Sequence, residues 1–252
     1  MLEIVKATES RSCSELYDRC SLTEWTFICG LGPNYHELIK TALELYVKEK
    51  LDCQRKDMFR YATLNALKEP LIIEQYNEFK RLFSNNGINP KQFCADLYNI
   101  LNKKHNKINS LRLIGRPNTG KTLIANCIVA PFICCYMNNH GSENEFFISN
   151  MLNKAIILCE ELYLTVATAE DFKSILGGQN IDIAKKFNEK QLMMRTPIII
   201  TSNYERFGRG HLPPCDENAL CLRCKTYVLN SEFKPECQLS WQQFYHFLLS
   251  EM

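Results

Sequence analysis

Neither sign of charge dominates this sequence: 30 Lys and Arg stand against 28 Asp and Glu, a net of +2 over 252 residues. That balance removes any global electrostatic case for a nucleic-acid partner, so a basic footprint has to be local. Long apolar runs are missing as well. The longest, Cys127 to Met137, is about half of what a spanning helix needs and contains Pro131, so no membrane segment is expected. Charges in the opening residues Met1-Leu-Glu-Ile-Val-Lys-Ala-Thr-Glu9 stand where a secretory signal needs an apolar stretch, and secretion is not expected. Internal repeats and low-complexity tracts are lacking too, which argues against a solenoid. Cysteine alone is abundant. Its count of 13 is odd and the residues are scattered without a small-domain framework spacing. Free thiols in a reducing compartment, cytosol or nucleus, are the expectation.

With 46% apolar and 23% charged residues, the chain can bury a sizeable core in one large domain or two modest ones. Residues 1–33 are mixed in character and end in the turn-rich Gly30-Leu-Gly-Pro33. From Tyr35 to Lys104 the pattern is helical, with Leu38, Ala42, Leu45 and Tyr46 on one face and Phe59, Ala62 and Leu67 preceding Pro70. Asn89-Pro90 supplies an N-cap and first-turn proline for a helix whose buried stripe is Phe93, Leu97, Ile100 and Leu101. Residues 1–105 are therefore read as a helical module. After the basic linker Lys103-Lys104-His105-Asn106-Lys107, the run Leu111–Ile114 is a short strand that stops at Gly115, and an apolar helix starts at Gly120-Lys121. Ala155–Cys159 and Pro197–Thr201 are nearly uniformly apolar, as strands covered on both faces should be. A helix over Ala169–Leu176, ended by Gly177-Gly178, lies between them. This alternation predicts an α/β fold with a mostly parallel sheet flanked by helices.

The segment Gly115-Arg-Pro117-Asn118-Thr119-Gly120-Lys121-Thr122 has the spacing of a phosphate-binding loop. Glycines let successive backbone N–H groups turn toward phosphates, the following helix points its positive end at them, Lys121 reaches the terminal phosphates, and Thr122 can hold magnesium. A chance match in an ordinary strand-turn-helix is the bland alternative. Glu160-Glu161 follows an apolar strand directly, so two carboxylates emerge at its carboxyl end. Glu160 can anchor a magnesium ion and its water shell while the second carboxylate polarises an attacking water; a solvated acidic turn is the competing reading. Asn203 ends the third apolar strand and can sense a terminal phosphate, or simply terminate the strand. Lys185, Lys186, Phe187 and Lys190 combine charge with an aromatic, suited to DNA phosphates and base stacking or to a solvated hairpin.

Together these residues resemble the superfamily-three viral helicases, and within them the replication initiator, or large non-structural protein, of parvoviruses. The resemblance runs from about Phe93 to about Leu229 and rests on order: Lys107 to Thr122, Asn144-Glu-Phe-Phe147, Glu160-Glu161, Gly177-Gly178-Gln179, then Thr196 to Asn203. It implies an AAA+ type P-loop NTPase that hydrolyses ATP with Mg2+ between subunits of a ring-shaped homo-oligomer, a hexamer. It further implies 3′-to-5′ translocation on single-stranded DNA in the host nucleus, with other replication proteins as possible partners. Lys121 and Thr122 match the ATP and magnesium ligands, Glu160 and Glu161 the acidic pair, Asn203 the sensor, and Lys186 and Lys190 the DNA-contacting hairpin. Arg223, in Ala219-Leu-Cys-Leu-Arg223-Cys, looks like the arginine finger inserted into a neighbour's site. The helical first third matches an oligomerisation collar, ahead of a core over 106–229 and a C-terminal segment over 230–252.

Two departures accompany the resemblance. No pair of histidines separated by one apolar residue occurs among the five His, so the strand-nicking nuclease of parvoviral initiators is not expected in this chain. Arg116 stands where many relatives have proline. An ATP-binding, non-hydrolysing regulator descended from a viral initiator remains an alternative, opposed by the joint survival of Lys121, both glutamates and Asn203. A nucleotide kinase would need an Arg-rich lid, which is not evident. Zinc binding by His211, Cys215, Cys221, Cys224 and Cys237 is suggested only by the Cys221-x-x-Cys224 spacing.

Overall fold

The computed structural model describes residues 1–138, 147–185 and 188–252. The chain forms two compact units, Met1–Lys56 and Asp57–Met252. The division falls well before the boundary expected at residue 105, because the helices of 57–101 share their core with the sheet-bearing unit.

In the first unit, α1 (Leu2–Thr8), α2 (Cys13–Arg19) and α3 (Leu22–Cys29) precede the long α4 (Tyr35–Lys56). Local chemistry sets the starts of the short helices. Ser12 Oγ accepts the Glu15 N–H, and Ser21 and Glu24 form a capping box. Val5, Leu16 and Ile28 pack with Ile39, Ala42, Leu43 and Tyr46 of α4. The face expected from periodicity is therefore only half right: Leu38 and Leu45 are 45% and 53% exposed. Apolar residues at 38, 39, 42, 43, 45 and 46 offer two overlapping stripes, and the short helices select the one centred on Ile39 and Leu43.

The second unit opens with α5 (Met58–Ala66), α6 (Ile73–Asn85) and α7 (Pro90–Leu101). Asn89 Oδ1 accepts the Gln92 N–H, with Pro90 in the first turn, as the sequence predicts. Phe93, Leu97, Ile100 and Leu101 are all buried, whereas Leu67, past the end of α5, is exposed. These helices pack with the last one, α11, over Trp241–Ser250. The junction is aromatic: Phe79, Phe83, Phe93, Phe244 and Phe247 are fully buried, with ring centroids as close as 4.9 Å between Phe83 and Phe247. Each such ring contributes roughly 1.5–3 kcal/mol by burial. Tyr245 of α11 donates its hydroxyl to the Ile128 carbonyl at 3.1 Å.

The sheet contains β1 (Ser110–Ile114), β2 (Cys134–Asn138), β3 (Ile156–Glu160), β6 (Ile198–Ser202) and β7 (Cys224–Val228). Its order is β2-β3-β6-β1-β7, and every neighbouring pair is parallel. A separate antiparallel hairpin joins β4 (Ile181–Lys185) to β5 (Asn188–Met193). Strands with both faces covered must be apolar throughout. Accordingly Ile157, Cys159, Ile198 and Ile200 pack in one cluster with Phe172, Ile175 and Leu176 of α9 (Val166–Leu176). The alternate residues Leu111, Leu113, Leu158 and Ile199 are fully buried, and α8 (Lys121–Val129) packs on β1, β3 and β6. The remaining helix, α10 (Pro214–Cys221), leads into β7. Open parallel sheets place ligands at the carboxyl ends of their strands, which directs attention to the residues after Ile114, Glu160 and Ser202.

Candidate active site

The loop after β1 is shaped by three left-handed backbone positions, Gly115 (φ 133°), Asn118 (φ 59°) and Gly120 (φ 87°). At Gly115 a Cβ would lie 1.9 Å from the Leu229 carbonyl oxygen, so no other residue fits there. Pro117 and Asn118 are exposed, Thr119 is buried, and Gly120 caps α8. Thr119 Oγ1 donates to the Arg116 carbonyl at 2.9 Å. Lys121, 6% exposed, donates to the Gly115 carbonyl at 3.0 Å and to the Arg116 carbonyl. Its ammonium therefore sits inside the loop, at the amino end of α8, where the Thr122 side chain faces solvent. Burial lowers the Lys121 pKa, and the Glu161 carboxylate acts in the opposite sense.

Strand register brings the acidic pair to this loop. Glu160 pairs with Thr201, and Thr201 with Leu113, so these residues form one row across β3, β6 and β1. Gly115 donates its N–H to the Ser202 carbonyl at 3.2 Å. Glu161 has φ 50°, donates its N–H to the Thr201 carbonyl at 2.8 Å, and turns its carboxylate to the Asn203 N–H, both oxygens at 3.2 Å. Glu160 is half-buried and Asn203 exposed. Neither glutamate forms an ion pair among the described residues. Lys121, Glu160, Glu161 and Asn203 thus meet on one edge of the sheet, with Gly115 to Thr122 beside them.

The other sequence-derived residues lie elsewhere. Arg223 follows α10 and precedes β7, whose Cys224 pairs with Ser110, so it occupies the amino edge of the sheet, opposite Lys121. It donates to the Ala219 carbonyl at the end of its own helix. Lys185 closes β4 and Lys190 is exposed on β5. Lys186 and Phe187, between those strands, lie outside the described residues, as do Asn144, Glu145 and Phe146. Gly178 has φ 74°, and a Cβ there would lie 2.5 Å from Arg195 Nε. Gly178 therefore makes room for the half-buried Arg195, and Gly177 lies against Arg223. Cys221 Sγ approaches Arg112, and burial pushes the Cys224 thiol up to about 12. No group of three His, Cys, Asp or Glu suited to a metal ion is present among the described residues.

Arg112 escaped sequence reading. It sits in the middle of β1, 2% exposed, with its guanidinium 4.0 Å from the Phe207 ring. It donates to the carbonyls of Glu205 at 2.6 Å and Tyr204 at 3.1 Å. Glu217 accepts the Phe207 and Gly208 N–H groups from the other side. The loop after Asn203 is thereby pinned, and it presents Arg209 against the rings of Tyr204 at 4.2 Å and Tyr163 at 5.2 Å. A charged residue inside an otherwise apolar strand was the available signal.

A parallel sheet flanked by helices, with a phosphate-type loop after β1, places the chain in a fold class found among viral helicases. A crystal structure of the JCV helicase with a small acetamide compound bound superposes with a TM-score of 0.55, covering 89% of this chain and 67% of that one at 14% identity. Likeness at that identity shows a shared fold. Residues 32–206 match the family described as parvovirus non-structural protein NS1, more than half of the chain, and the chain belongs to that family. Initiator protein NS1 of Bombyx mori densovirus is 27% identical over 144 residues, 57% of this chain and 16% of that protein. Protein Rep52 of adeno-associated virus 2 is 33% identical over 129 residues, 50% of this chain and 32% of that protein. The matched stretch thus spans less than a third of either relative.

Proposed function

We propose that the chain is the ATP-driven motor of a viral DNA replication helicase. The observation that carries this reading is the meeting of Lys121, Glu160, Glu161 and Asn203 at the carboxyl ends of three adjacent parallel strands. Gly115 leaves no room for a Cβ, and the loop's glycines free its amides to face an anion. The donor set fits magnesium: the Thr122 hydroxyl and the Glu160 carboxylate are hard oxygen ligands. When bound there, the ion would offset charge on the phosphate oxygens.

On this reading Lys121 leaves the loop carbonyls it now satisfies and donates to the terminal phosphates. Glu161 accepts from the Asn203 N–H, which holds its carboxylate in place to polarise an attacking water. Asn203 directs its exposed amide toward the phosphate being transferred. Arg223 lies at the far edge of its own sheet, so it can act only on the site of a second copy, as an arginine finger does. We read hydrolysis as taking place at interfaces of a ring-shaped homo-oligomer, in the AAA+ manner and with hexameric stoichiometry; the place of Arg223 away from its own chain's phosphate loop supports the interface. The β4–β5 hairpin, with Lys190 exposed, would contact single-stranded DNA during 3′-to-5′ movement in the host nucleus. The helices of the first unit would serve as the collar. Unwinding of a tailed duplex by the full chain tests the proposal. ATP-dependent strand release on a 3′-tailed substrate supports it, and release that is absent, or equal without ATP, rejects the motor.

A further inference from the structure

The segment after β7, left without a role by the motifs, runs directly over the phosphate loop. Leu229 donates its N–H to the Ile114 carbonyl at 2.7 Å, and its own carbonyl fills the space a Gly115 side chain would need. Four residues on, Phe233 donates its N–H to the Asn118 carbonyl at 2.9 Å. A Cβ at Gly120 would lie 2.9 Å from Leu82 and 3.4 Å from the Phe233 ring. Three of the loop's shape-determining positions therefore rest on this strap and on α6.

The strap is itself fastened to α6. Asn86 Oδ1 accepts the N–H groups of both Asn230 and Ser231, at 2.8 and 2.9 Å. Asn86 Nδ2 donates to the Leu82 carbonyl at 3.0 Å, and Ser231 Oγ to the Asn85 carbonyl at 2.7 Å. Arg81 lies 4.9 Å from the Phe233 ring and donates to the Lys234 carbonyl at 2.9 Å. Glu78 accepts the Glu236 N–H at 3.1 Å while paired with Arg81, which holds its carboxyl below the usual range.

A loop that turns its amides toward an anion must turn carbonyls outward, and each outward carbonyl needs a donor. Lys121 now serves those of Gly115 and Arg116. Once its ammonium moves to a phosphate, the strap still holds the loop through the Phe233 N–H on the Asn118 carbonyl and the Leu229 N–H on the Ile114 carbonyl just before it. We propose that the strap 229–236 and its fastener Asn86 are positioning elements of the nucleotide site, setting affinity for the phosphates that ATP and ADP share. This inference rests on the nucleotide-binding reading above.

Titration of the full-length chain with fluorescent ATP and ADP in magnesium buffer tests it, well below each variant's melting temperature. Asn86→Ala, which removes the acceptor of two strap N–H groups, and Phe233→Ala, which keeps the N–H but removes the ring packed at Gly120 and under Arg81, should each weaken both nucleotides by about tenfold. Asn86→Asp keeps an acceptor oxygen for the strap and should recover most of that loss. Asn109→Ala, which disturbs the opposite edge of the sheet, controls for general destabilisation and should leave both affinities within about twofold. Asn86→Ala and Phe233→Ala affinities within twofold of wild type, or an equal loss in Asn109→Ala, would overturn the inference alone. Failure of the wild-type chain to bind either nucleotide would overturn the nucleotide reading and this inference with it.

Discussion

The two edges of the sheet carry similar polar residues in opposite conditions. At the amino edge, Asn109 is fully buried and saturated: its amide donates to the carbonyls of Thr196 at 2.7 Å and Ile175 at 3.3 Å, and its oxygen accepts Arg195 Nε at 2.9 Å. Arg195 Nη2 donates to the carbonyls of Ile108 and His105. At the carboxyl edge the groups are held but not saturated. Lys121 borrows carbonyls of its own loop, Glu160 and Asn203 face outward, and Gly115, Asn118, Gly120 and Glu161 adopt positive φ. Buried and fully paired polar groups stabilise a fold. Strained, partly satisfied ones mark where a ligand completes the set.

Four substitutions would break or sharpen this contrast. Arg223→Ala should have the largest effect, a fall of about 10³–10⁵-fold in turnover with nucleotide affinity intact, because a finger acts on transferring charge in a neighbouring subunit. Steady-state hydrolysis beside equilibrium binding checks it; lost binding would make Arg223 a structural member of the amino edge. Glu161→Gln should lower turnover by about 10²–10⁴-fold while ATP still binds and the melting temperature barely moves. A large fall in melting temperature would instead make the Asn203 contact structural. For Asn109→Ala, chemical denaturation should show a loss of about 2–4 kcal/mol, since it leaves the buried Thr196 carbonyl without its donor and takes the acceptor from the half-buried Arg195 Nε. The smallest change is expected for Lys190→Ala. The salt slope of single-stranded DNA binding should fall by about one, the signature of one lost phosphate contact, and an unchanged slope would remove Lys190 from the DNA surface.

Legibility in the sequence followed the range of the interactions. The phosphate-type loop, β3 with the two glutamates at and after its end, and β6 followed by Asn203 are local patterns of glycine spacing and apolar runs, and each stands where periodicity and turn chemistry put it. The start of α7 at Asn89-Pro90 was equally local. Strand β7 was not legible, because Cys-Lys-Thr-Tyr-Val alternates as a half-exposed edge strand and is defined by its pairing with β1. The role of Arg112 depends on carbonyls more than 90 residues away. The strap's meaning depends on Asn86, some 144 residues from Asn230. Long-range contacts likewise assigned residues 57–101 to the second unit, and the short helices chose between the stripes of α4.

The central claim is that the β1 loop and the carboxylates beside it form one catalytic site. Phosphate release from ATP by the full chain, with and without single-stranded DNA, tests this most directly when wild type is set beside Lys121→Ala. Hydrolysis that rises with DNA in wild type and vanishes in Lys121→Ala is the result required. Hydrolysis that persists in Lys121→Ala, or a wild-type chain that binds ATP but does not turn it over, would contradict it.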